Sequence, residues 1–583
     1  MFKKIFYFEN KILLLILVSL VFHFIAAYFS VGYYQQDEHF SVLEPINYKL
    51  GKEATLGWDF FQLYDRSWFL TSIFYSITKL LTIFNIYSPF KWAFAYRLFA
   101  SLLGWLSIIC LINISKKIFL NKYSFYSAVL VSTLLWFYPY FHARTSSENL
   151  GCSLLIIGIT LFLYSNKKQP KNILFFISGI IFGLSFLARY TNIVPFIGFG
   201  MWVLIINKNK FDELFFTALG FTIIFLTGIL IDYWGYNQIL LSSLNYYLIN
   251  FEHNQLGYFP SFPWWYYFYF IIKEFLPPLS IIILFSMLLF WLKLPKHFVT
   301  WTTLPLFIFL SSIAHKETRF LFPILIFSPL FIGCFVDTLL IYQKNLTSFI
   351  FTKFFLKIVL GLVIIINFAG LITLSIIPAN NSINLFKFLY KNPYKIEKLY
   401  TLDNIPYRKS DLLINFYRNT DINFVEVMNT DACMKELFET NGHLYSKISS
   451  LNKLISIKFW RQPNLLSAVY HRDKTGIAQQ IQSEEMDLPE WQILSYPKWI
   501  FEYKILCNKQ SFIKDYILKL DNGFFLFSDT TYLDFFYREQ NLNCKMIYNT
   551  LPMWFLKINY NNWLNRITKW YLFSCEFKLN IKN

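Results

Sequence analysis

Long apolar stretches alternate with short polar segments over roughly the first two thirds of the chain. Because an apolar helix of about 17–25 residues crosses a bilayer, each long stretch predicts a membrane span. The first stretch follows Lys3 and Lys4 and lacks the small residues of a signal-peptide cleavage site, so we expect it to remain as a span. The pattern predicts eleven spans, at residues 11–31, 92–114, 122–141, 149–165, 172–187, 190–206, 213–235, 275–292, 299–313, 320–342 and 355–377.

The polar segments between these spans divide by charge. One set is rich in lysine and reads SKKIFLNK, NKKQPKN, NKNK, KLPKH and YQKN, and the N-terminal MFKK belongs with it. Because cytoplasmic loops carry an excess of Lys and Arg, this set predicts the cytoplasmic face. The opposite face then holds residues 32–91, 141–148, 236–274 and everything after about residue 378.

Residues 379–583 are mixed and polar, and we expect them to form a soluble extracytoplasmic α/β domain behind a transmembrane domain at 1–378. KIEKLYTL and INFVEVMN predict short strands, and DACMKELFET predicts a helix. The polar region also holds four of the seven cysteines, which could form up to two disulfides or remain as thiols. These four are Cys433, Cys507, Cys544 and Cys575.

Composition agrees with a multi-pass membrane protein, since 56% of the residues are hydrophobic and only 15% are charged. The net charge of +18 is dispersed among apolar runs, which indicates orientation signals rather than a nucleic-acid partner. The abundance of Phe, Ile, Lys and Asn is typical of an AT-rich genome and favours a bacterial source. The fold expected is a polytopic α-helical membrane protein with a C-terminal α/β domain.

The first outer loop, residues 32–91, offers candidate acids. Asp37 and Glu38 follow the first span directly, where partial desolvation would raise a carboxyl pKa towards that of a useful base. Asp59 and Arg66 follow in the same loop. A solvated loop start with no catalytic role is the simpler alternative for the acidic pair.

A charged pentad, His315, Lys316, Glu317, Thr318 and Arg319, lies between two apolar stretches. A charge at the bilayer centre costs at least several kcal/mol, so the pentad is expected at the outer face or in a polar cavity. Cations on that same face suit an anionic lipid phosphate, although each one alone could merely extend to the membrane surface. The further cations expected there are Arg97, Arg144 and Arg189.

These motifs resemble those of a known family. HKETRFLFP at 315–323 is similar to the HKE-x-RF signature of the GT-C membrane glycosyltransferases that build mannose onto GPI anchors and lipid-linked oligosaccharides. DEHFSVLEP, GWDFFQLYDRSW, RTSSENL and LARYTN resemble further motifs of that family in the expected order. The resemblance covers roughly residues 30–325 and implies a GT-C fold.

The resemblance also implies an activity. Such enzymes move a sugar, usually mannose, from a polyprenyl- or dolichyl-phosphate carrier to a glycan or glycolipid acceptor at the extracytoplasmic face. No DxD pair for a metal-bound nucleotide sugar is present, and no metal cofactor is expected. A bacterial source would place the protein in the inner membrane with a periplasmic active site, and a eukaryotic source in the ER membrane with a luminal one.

Residue roles follow from the same resemblance. Asp37 would be the general base that deprotonates the acceptor, with Glu38 as a helper. The leaving phosphate would be stabilised by His315, Lys316 and Arg319 with Arg66 assisting, and Glu317 would orient these cations. This substrate-binding set is His315, Lys316, Glu317, Arg319, Arg66 and Arg144.

Two other functions remain open at this stage. A transporter or flippase of lipid-linked sugars would carry polar residues near the bilayer midplane and internal repeats, whereas the charges here gather at one face. A non-catalytic relative would have lost the acidic motif, yet Asp37 and Glu38 are present. The donor sugar, mannose or another hexose or a pentose, and the oligomeric state are left open.

Overall fold

The computed structural model describes residues 8–61, 63–165, 171–207, 211–252, 261–346, 350–402, 405–409, 412–426, 523–528, 532–533, 536, 542–550 and 569–577. The chain forms two compact units. The first unit is Met1–Leu50 with Leu56–Ala379, and the second is Gly51–Thr55 with Asn380–Asn583.

The first unit is built from α-helices whose long members are apolar on nearly every face. Its helices, in chain order, are α1 (Asn10–Phe29), α2 (Glu44–Lys49), α3 (Trp58–Phe61), α4 (Phe69–Ile83), α5 (Pro89–Ile118), α6 (Lys122–Leu134), α7 (Tyr138–His142), α8 (Ser147–Ser165), α9 (Lys171–Ala188), α10 (Ile193–Trp202), α11 (Phe211–Tyr236), α12 (Ser242–Tyr247), α13 (Tyr266–Glu274), α14 (Leu279–Lys293), α15 (Phe298–Ser312), α16 (Phe322–Leu325), α17 (Ser328–Leu346) and α18 (Ile350–Ile376). Wider π-turns occupy His39–Leu43, Val203–Asn207 and Leu248–Glu252, and tighter 3₁₀ turns occupy Tyr190–Asn192 and Thr318–Leu321.

The number of spans is only partly supported. Among the described residues, six helices are long and apolar enough to cross a membrane, or up to eight if each of two bent helix pairs is one span. The pairs bend by 118° between α14 and α15 and by 59° before α17. The segment predicted as a span at 122–141 is not one helix, because α6 ends at Leu134 and a new short helix with proline in its first turn begins at Tyr138. The structure therefore confirms several apolar spans without confirming eleven.

Close helix packing in the first unit depends on glycine. A Cβ added to Gly179 of α9 would lie 2.0 Å from the Thr217 backbone oxygen, and one added to Gly220 of α11 would lie 2.2 Å from the Phe176 oxygen. Both distances are far below van der Waals contact. The two helix backbones can therefore approach this closely only because glycine has no side chain at these positions. Small residues at such crossings supply the tight packing that stabilises helix pairs in lipid.

The second unit contains helix α19 (Ser382–Lys391) and a mixed sheet. Its strands are β1 (Lys398–Thr401), β2 (Arg408–Lys409), β3 (Leu412–Leu413), β4 (Asn423–Glu426), β5 (Gly523–Phe527), β6 (Leu542–Asn549) and β7 (Tyr571–Phe577). The five-stranded sheet has the order β4-β1-β5-β7-β6, with β1 parallel to both β4 and β5 and β7 antiparallel to its two neighbours. β1 and β4 lie in the two segments that the sequence predicts as strands, whereas the helix predicted at 431–440 lies outside the described residues.

One of the possible disulfides is formed. Cys544 and Cys575 are bonded and lie directly opposite each other on β6 and β7. Cys433 and Cys507 lie outside the described residues, so a second disulfide stays a prediction.

We expect Gly179→Ala to lower the melting temperature of the purified protein in detergent. The new methyl group would push α9 from α11, and overpacking of this kind costs typically about 1–3 kcal/mol. Gly361→Ala on α18 is the matched control, because nothing lies within 4 Å of a Cβ there. A helix-interior alanine is favoured over glycine, so the control should be unchanged or slightly stabilised. Equal melting temperatures for both variants would contradict the close packing.

Candidate active site

The first loop after α1 places its two adjacent acids in opposite surroundings. The side chain of Asp37 is 38% exposed, whereas that of Glu38 is 3% exposed. The π-turn at His39–Leu43 follows at once. A third acid just after it, Glu44, lies with its Oε1 2.8 Å from Nε2 of His39 in a fully buried pair. The local fold therefore exposes one carboxylate and encloses the others.

The carboxylate of Glu38 is hydrogen-bonded to the backbone of its own loop. Its Oε1 accepts hydrogen bonds from the amides of Tyr34 at 2.9 Å and Gln35 at 3.2 Å, and its Oε2 lies 3.9 Å from Nη1 of Arg144. Burial raises its pKa, against the opposing effect of the Arg144 charge and the two amides. Glu38 lines the site cavity but its oxygens hold the turn that presents Asp37.

The guanidinium of Arg144 is hydrogen-bonded to the chain at the end of α1. Its guanidinium donates to the carbonyl oxygen of Gly32 at 3.1 Å, to that of Ser30 at 2.5 Å and to the Ser30 hydroxyl at 2.7 Å. Arg144 is among the largest fully buried side chains in the described part of the chain. These contacts anchor the start of the first loop to the segment before α8.

Asp37 is contacted by two arginines from different segments. Its Oδ2 lies 2.9 Å from Nη2 of Arg319 and accepts from Nη2 of Arg66 at 3.3 Å. Burial alone would raise the pKa of Asp37, but the charges of Arg319 and Arg66 outweigh it and hold the pKa below its usual range. Asp37 is thus ionised at neutral pH in this state.

Arg66 is held by further contacts of the first loop. Its Nε donates to Oδ2 of Asp59 at 3.0 Å, and Asp59 also accepts from the Ser41 hydroxyl at 3.1 Å. Burial raises the pKa of Asp59 despite the Arg66 charge. The backbone oxygen of Arg66 accepts a hydrogen bond from the hydroxyl of Tyr236 at 2.5 Å.

Asp232 of α11 fixes the chain just after Arg66. Its Oδ1 accepts from the Ser67 hydroxyl at 3.0 Å and from the Trp68 amide at 2.8 Å, and its Oδ2 accepts from Ser242. Sequence reasoning misses this residue, although a lone acid inside an apolar run is the signal that could have found it.

The charged pentad is organised around Arg319. Its Nε lies 2.7 Å from Oε2 of Glu317, and its Nη2 donates to Oε1 at 3.1 Å. The same Oε1 lies 3.0 Å from Nε2 of His315. Burial would raise the pKa of Glu317, yet the charge of Arg319 lowers it. Glu317 therefore orients Arg319 and His315.

Lys316 lies in a different direction from the other pentad cations. Its ammonium donates to the backbone oxygens of Phe262, at 3.2 Å, and Ile313, and it lies over the ring of Tyr267 at 5.7 Å. The Phe262 amide in turn donates to the Ala314 carbonyl oxygen at 2.9 Å. These contacts join the pentad to the aromatic segment before α13.

A carboxylate at the start of α8 completes the network. Oε1 of Glu148 lies 3.1 Å from Nη1 of Arg189 and 3.6 Å from Nε of Arg319. Glu148 is 1% exposed. The sequence motif RTSSENL contains it, but no spacing rule indicated that it would meet the pentad.

The network lines a cavity between the first loop, the start of α8 and the charged pentad. Hydroxyl-bearing and charged side chains share its wall. They include Asp37, Glu38, Ser41, Arg66, Ser67, Ser146, Ser147, Glu148, Arg189, Tyr190, Tyr246 and Arg319. Of the predicted site residues, Asp37, Glu38, Arg66 and Arg319 line this cavity, whereas the described lining does not include Arg144 or the other three pentad positions from the substrate-binding set.

These features define a multi-pass membrane protein with a cavity that is lined by both carboxylates and guanidinium groups. Residues 14–405 match the model of the Alg9-like mannosyltransferase family, and the chain belongs to that family. This finding confirms the resemblance seen in the sequence motifs.

Curated relatives are similar to this chain at low identity. GPI mannosyltransferase 3 of Candida albicans is 24% identical over 311 residues, which are 50% of this chain and 57% of that protein. GPI alpha-1,2-mannosyltransferase 3 of Homo sapiens is 24% identical over 346 residues, 56% of this chain and 58% of that protein. The chain thus spans less than two thirds of the length of either relative.

Among solved structures, the chain is similar to ArnT from Cupriavidus metallidurans bound to undecaprenyl phosphate. The comparison covers 97% of this chain and 98% of that one, at 12% identity and a TM-score of 0.43. A score this low carries no argument about fold or substrate.

Asp65, next to Arg66, provides a pH-dependent test of the loop. Its Oδ1 is buried without a hydrogen-bond partner among the described residues, and burial raises its pKa to about 7 despite the Arg66 charge. A raised carboxyl pKa gives stability that is present below the unfolded value of 3.8 and lost as pH rises through about 7.

We therefore expect the wild-type melting temperature to fall relative to that of Asp65→Asn between pH 5 and pH 8, by a few degrees. Thermal unfolding in detergent at several pH values measures this difference. Asp421→Asn, which changes an exposed acid of the second unit, should track the wild type at every pH. Parallel curves for the wild type and Asp65→Asn would show that Asp65 does not titrate in this range.

Proposed function

We propose that this protein transfers mannose from a polyprenyl-phosphate carrier to a hydroxyl group of a glycan or glycolipid. Membership of the Alg9-like mannosyltransferase family over residues 14–405 supports this proposal, and so do the names of the curated relatives. The observation that carries it is the exposed carboxylate of Asp37, contacted in one cavity by Arg319 and Arg66.

The chemistry assigned to the cavity is an inverting displacement at the sugar C1. The acceptor oxygen forms a bond to C1 while the bond from C1 to the phosphate oxygen breaks, and its electron pair stays on the lipid phosphate. The acceptor proton passes to Asp37. In the described cavity wall, Asp37 is well suited to this role, because it is ionised and accessible whereas Glu38 is enclosed and bonded.

The ion pairs of Asp37 with Arg319 and Arg66 bear on its assignment as the general base. A carboxylate paired with two guanidinium groups is a weak base, because its pKa is depressed. An incoming lipid phosphate would compete for Arg319 and Arg66, and both would turn part of their hydrogen bonding towards it. The pKa of Asp37 would then rise, so donor binding would itself activate the base.

The other charged residues receive supporting roles. Glu148 and Glu317 hold Arg319 from two sides, so that its guanidinium is preorganised for the developing phosphate charge. His315 is held by Glu317, and its contact with the donor phosphate remains a prediction from the resemblance. Lys316 and Arg144 position backbone segments, and their direct contact with the donor remains a prediction from the resemblance.

The cavity is proposed to face the extracytoplasmic side. The lysine-rich loops belong to the opposite set and support this side for the cavity. Separately, the Cys544–Cys575 disulfide supports an oxidising compartment for the second unit, such as the periplasm or the ER lumen. The inner membrane of a bacterium is the proposed location, with the ER as the eukaryotic equivalent.

We expect Asp37→Asn to abolish mannose transfer while the protein still folds and inserts into the membrane. The amide is nearly isosteric with the carboxylate but cannot accept the acceptor proton. The assay uses the purified full chain in detergent with polyprenyl-phosphate-mannose and a lipid extract of the host. The labelled product would also identify the acceptor.

Three comparisons make this experiment decisive. Asp421→Asn should retain the full rate, and Glu38→Gln should lose stability along with rate because Glu38 bonds two backbone amides. Chelation of metal by EDTA should leave the rate unchanged. Equal transfer rates for Asp37→Asn and the wild type would show that Asp37 is not the base. Transfer that occurs only with a carrier of another sugar would show that the donor sugar is not mannose.

We expect Arg319→Ala to lower kcat by a factor on the order of 10²–10³, which is the usual effect of losing one preorganised electrostatic partner. Arg319→Lys keeps the charge but cannot contact Asp37 and Glu317 through separate nitrogens, so its rate should fall between those of alanine and wild type. Single-turnover transfer and thermal unfolding are measured on the same samples. A wild-type rate for Arg319→Lys would show that a positive charge at this position suffices. The contacts of Arg319 with Asp37 and Glu317 through separate nitrogens would then not matter for the rate.

A further inference from the structure

Two hydroxyl-bearing residues of the site cavity, Ser67 and Tyr190, belong to one hydrogen-bonded cluster. Both line the cavity; Ser67 lies two residues before α4, and Tyr190 begins the 3₁₀ turn after α9. The other two members of the cluster are enclosed. Asp232, near the end of α11, is 3% exposed, and Ser242, at the start of α12, is 2% exposed. Two residues of the cavity wall are thus backed by two residues outside its described lining.

Asp232 determines the direction of the hydrogen bonds in this cluster. Its Oδ1 accepts from the Ser67 hydroxyl at 3.0 Å, and its Oδ2 accepts from the Ser242 hydroxyl. A hydroxyl group has only one proton, so the proton of Ser242 is already used. The hydroxyl oxygen of Tyr190 lies 2.5 Å from Oγ of Ser242, and Tyr190 is therefore the donor in this contact. Both hydroxyls of the cavity wall direct their protons towards the Asp232 side.

This direction decides what the Tyr190 hydroxyl can offer a ligand. A hydroxyl whose proton is used can only accept, and its oxygen has two lone pairs with which to do so. The side chain of Ser67 also lies within hydrogen-bonding range of Tyr190. Ser67 does not supply a proton to it, because the proton of Ser67 is given to Asp232. At the cavity wall, the oxygen of Tyr190 is therefore a hydrogen-bond acceptor.

The ring of Tyr190 is held from two sides. Its centroid lies 5.2 Å from that of Phe186 on α9 and 5.6 Å from that of Tyr246 on α12. These ring contacts and the bond to Ser242 fix the hydroxyl before any ligand arrives. A preorganised acceptor of this kind recognises a donor group without the cost of ordering a side chain.

We propose that the Tyr190 oxygen accepts a hydrogen bond from a hydroxyl group of the transferred sugar or of the acceptor. Asp232 is then a positioning residue, which sets this polarity through Ser242. The inference rests on the proposed transfer reaction. Sugar hydroxyls can donate, whereas ionised phosphate oxygens only accept, so the phosphate is expected at Arg66 and Arg319 instead. The cavity wall would thus separate the two chemical parts of a lipid-phosphate sugar.

Tyr190→Phe tests the contact in the purified full chain in detergent. The values of kcat and KM are measured for polyprenyl-phosphate-mannose and, as apparent values, for the acceptor in the lipid extract. Losing one hydrogen bond should lower kcat/KM on the order of five- to ten-fold for the substrate that supplies the hydroxyl. A higher donor KM would assign that hydroxyl to the sugar, and a higher acceptor KM would assign it to the acceptor. Tyr233→Phe, which changes an exposed tyrosine of α11, is the matched control and should keep both values.

Asp232→Asn tests the direction of the hydrogen bonds. The amide keeps an oxygen for Ser67 and Trp68 but replaces Oδ2 with an NH₂ group, which cannot accept from Ser242. Ser242 would then turn its proton towards Tyr190, and Tyr190 would turn its own proton towards the substrate. We expect kcat/KM to fall on the order of three-fold, and we expect no such fall when Tyr190→Phe is already present.

Controls separate this effect from a loss of stability. Asp212→Asn changes an exposed acid in the first turn of the same helix and should behave as the wild type. If Asp232→Asn does not fold, Ser242→Ala interrupts the same path and should add nothing to the effect of Tyr190→Phe. The melting temperature of every variant is recorded beside its rate.

The outcomes distinguish the inference from the reaction on which it rests. Mannose transfer by the wild type with unchanged kcat/KM for both substrates in Tyr190→Phe would overturn the contact and leave the proposed function intact. An equal fall from Asp232→Asn with and without the Tyr190 hydroxyl would show that Asp232 acts on the structure alone. No mannose transfer by the wild type would overturn the proposed function and the inference with it.

Discussion

The guanidinium of Arg319 is the contact on which the polar interior of the helical unit depends. It lies within ion-pair distance of three carboxylates, Asp37, Glu317 and Glu148, which come from the first loop, the charged pentad and the start of α8. Buried charges of one sign repel strongly unless a cation lies between them. Arg319 thus makes it possible for three distant chain segments to bring their acids into one cavity.

Glycine and a buried acid provide the complementary constraint on the helices. Gly179 and Gly220 allow α9 and α11 to approach closely, and Asp232 on α11 then reaches the amide of Trp68 at the start of α4. Because Arg66 is only two residues before Trp68, the position of its guanidinium depends on helix packing. The geometry of the site and the stability of the helical unit are therefore connected.

The sequence predicts that the chain has several apolar helices, although not their number, and it makes the charged pentad stand out, for clear reasons. Apolar runs long enough for a bilayer have few other structures available, and the pentad is conspicuous because charge is costly in such surroundings. Composition and spacing alone could not show that Asp37 is exposed and its neighbour Glu38 enclosed, because one backbone turn decides which carboxylate is exposed. They could not show that Lys316 bonds backbone oxygens or that Arg144 bonds the end of α1, since those directions depend on tertiary packing.

The disulfide of the second unit has a consequence for handling the protein. Cys544 and Cys575 join β6 to β7 at directly opposite positions, and β6 lies at the edge of the five-stranded sheet with a register irregularity between Met546 and Tyr548. A one-residue slip of a strand moves all its side chains to the other face, and an unpaired edge can template aggregation. Reducing agents in a purification buffer would break the disulfide that fixes this register. The tendency of the sample to aggregate would then depend on whether Cys544 and Cys575 are oxidised.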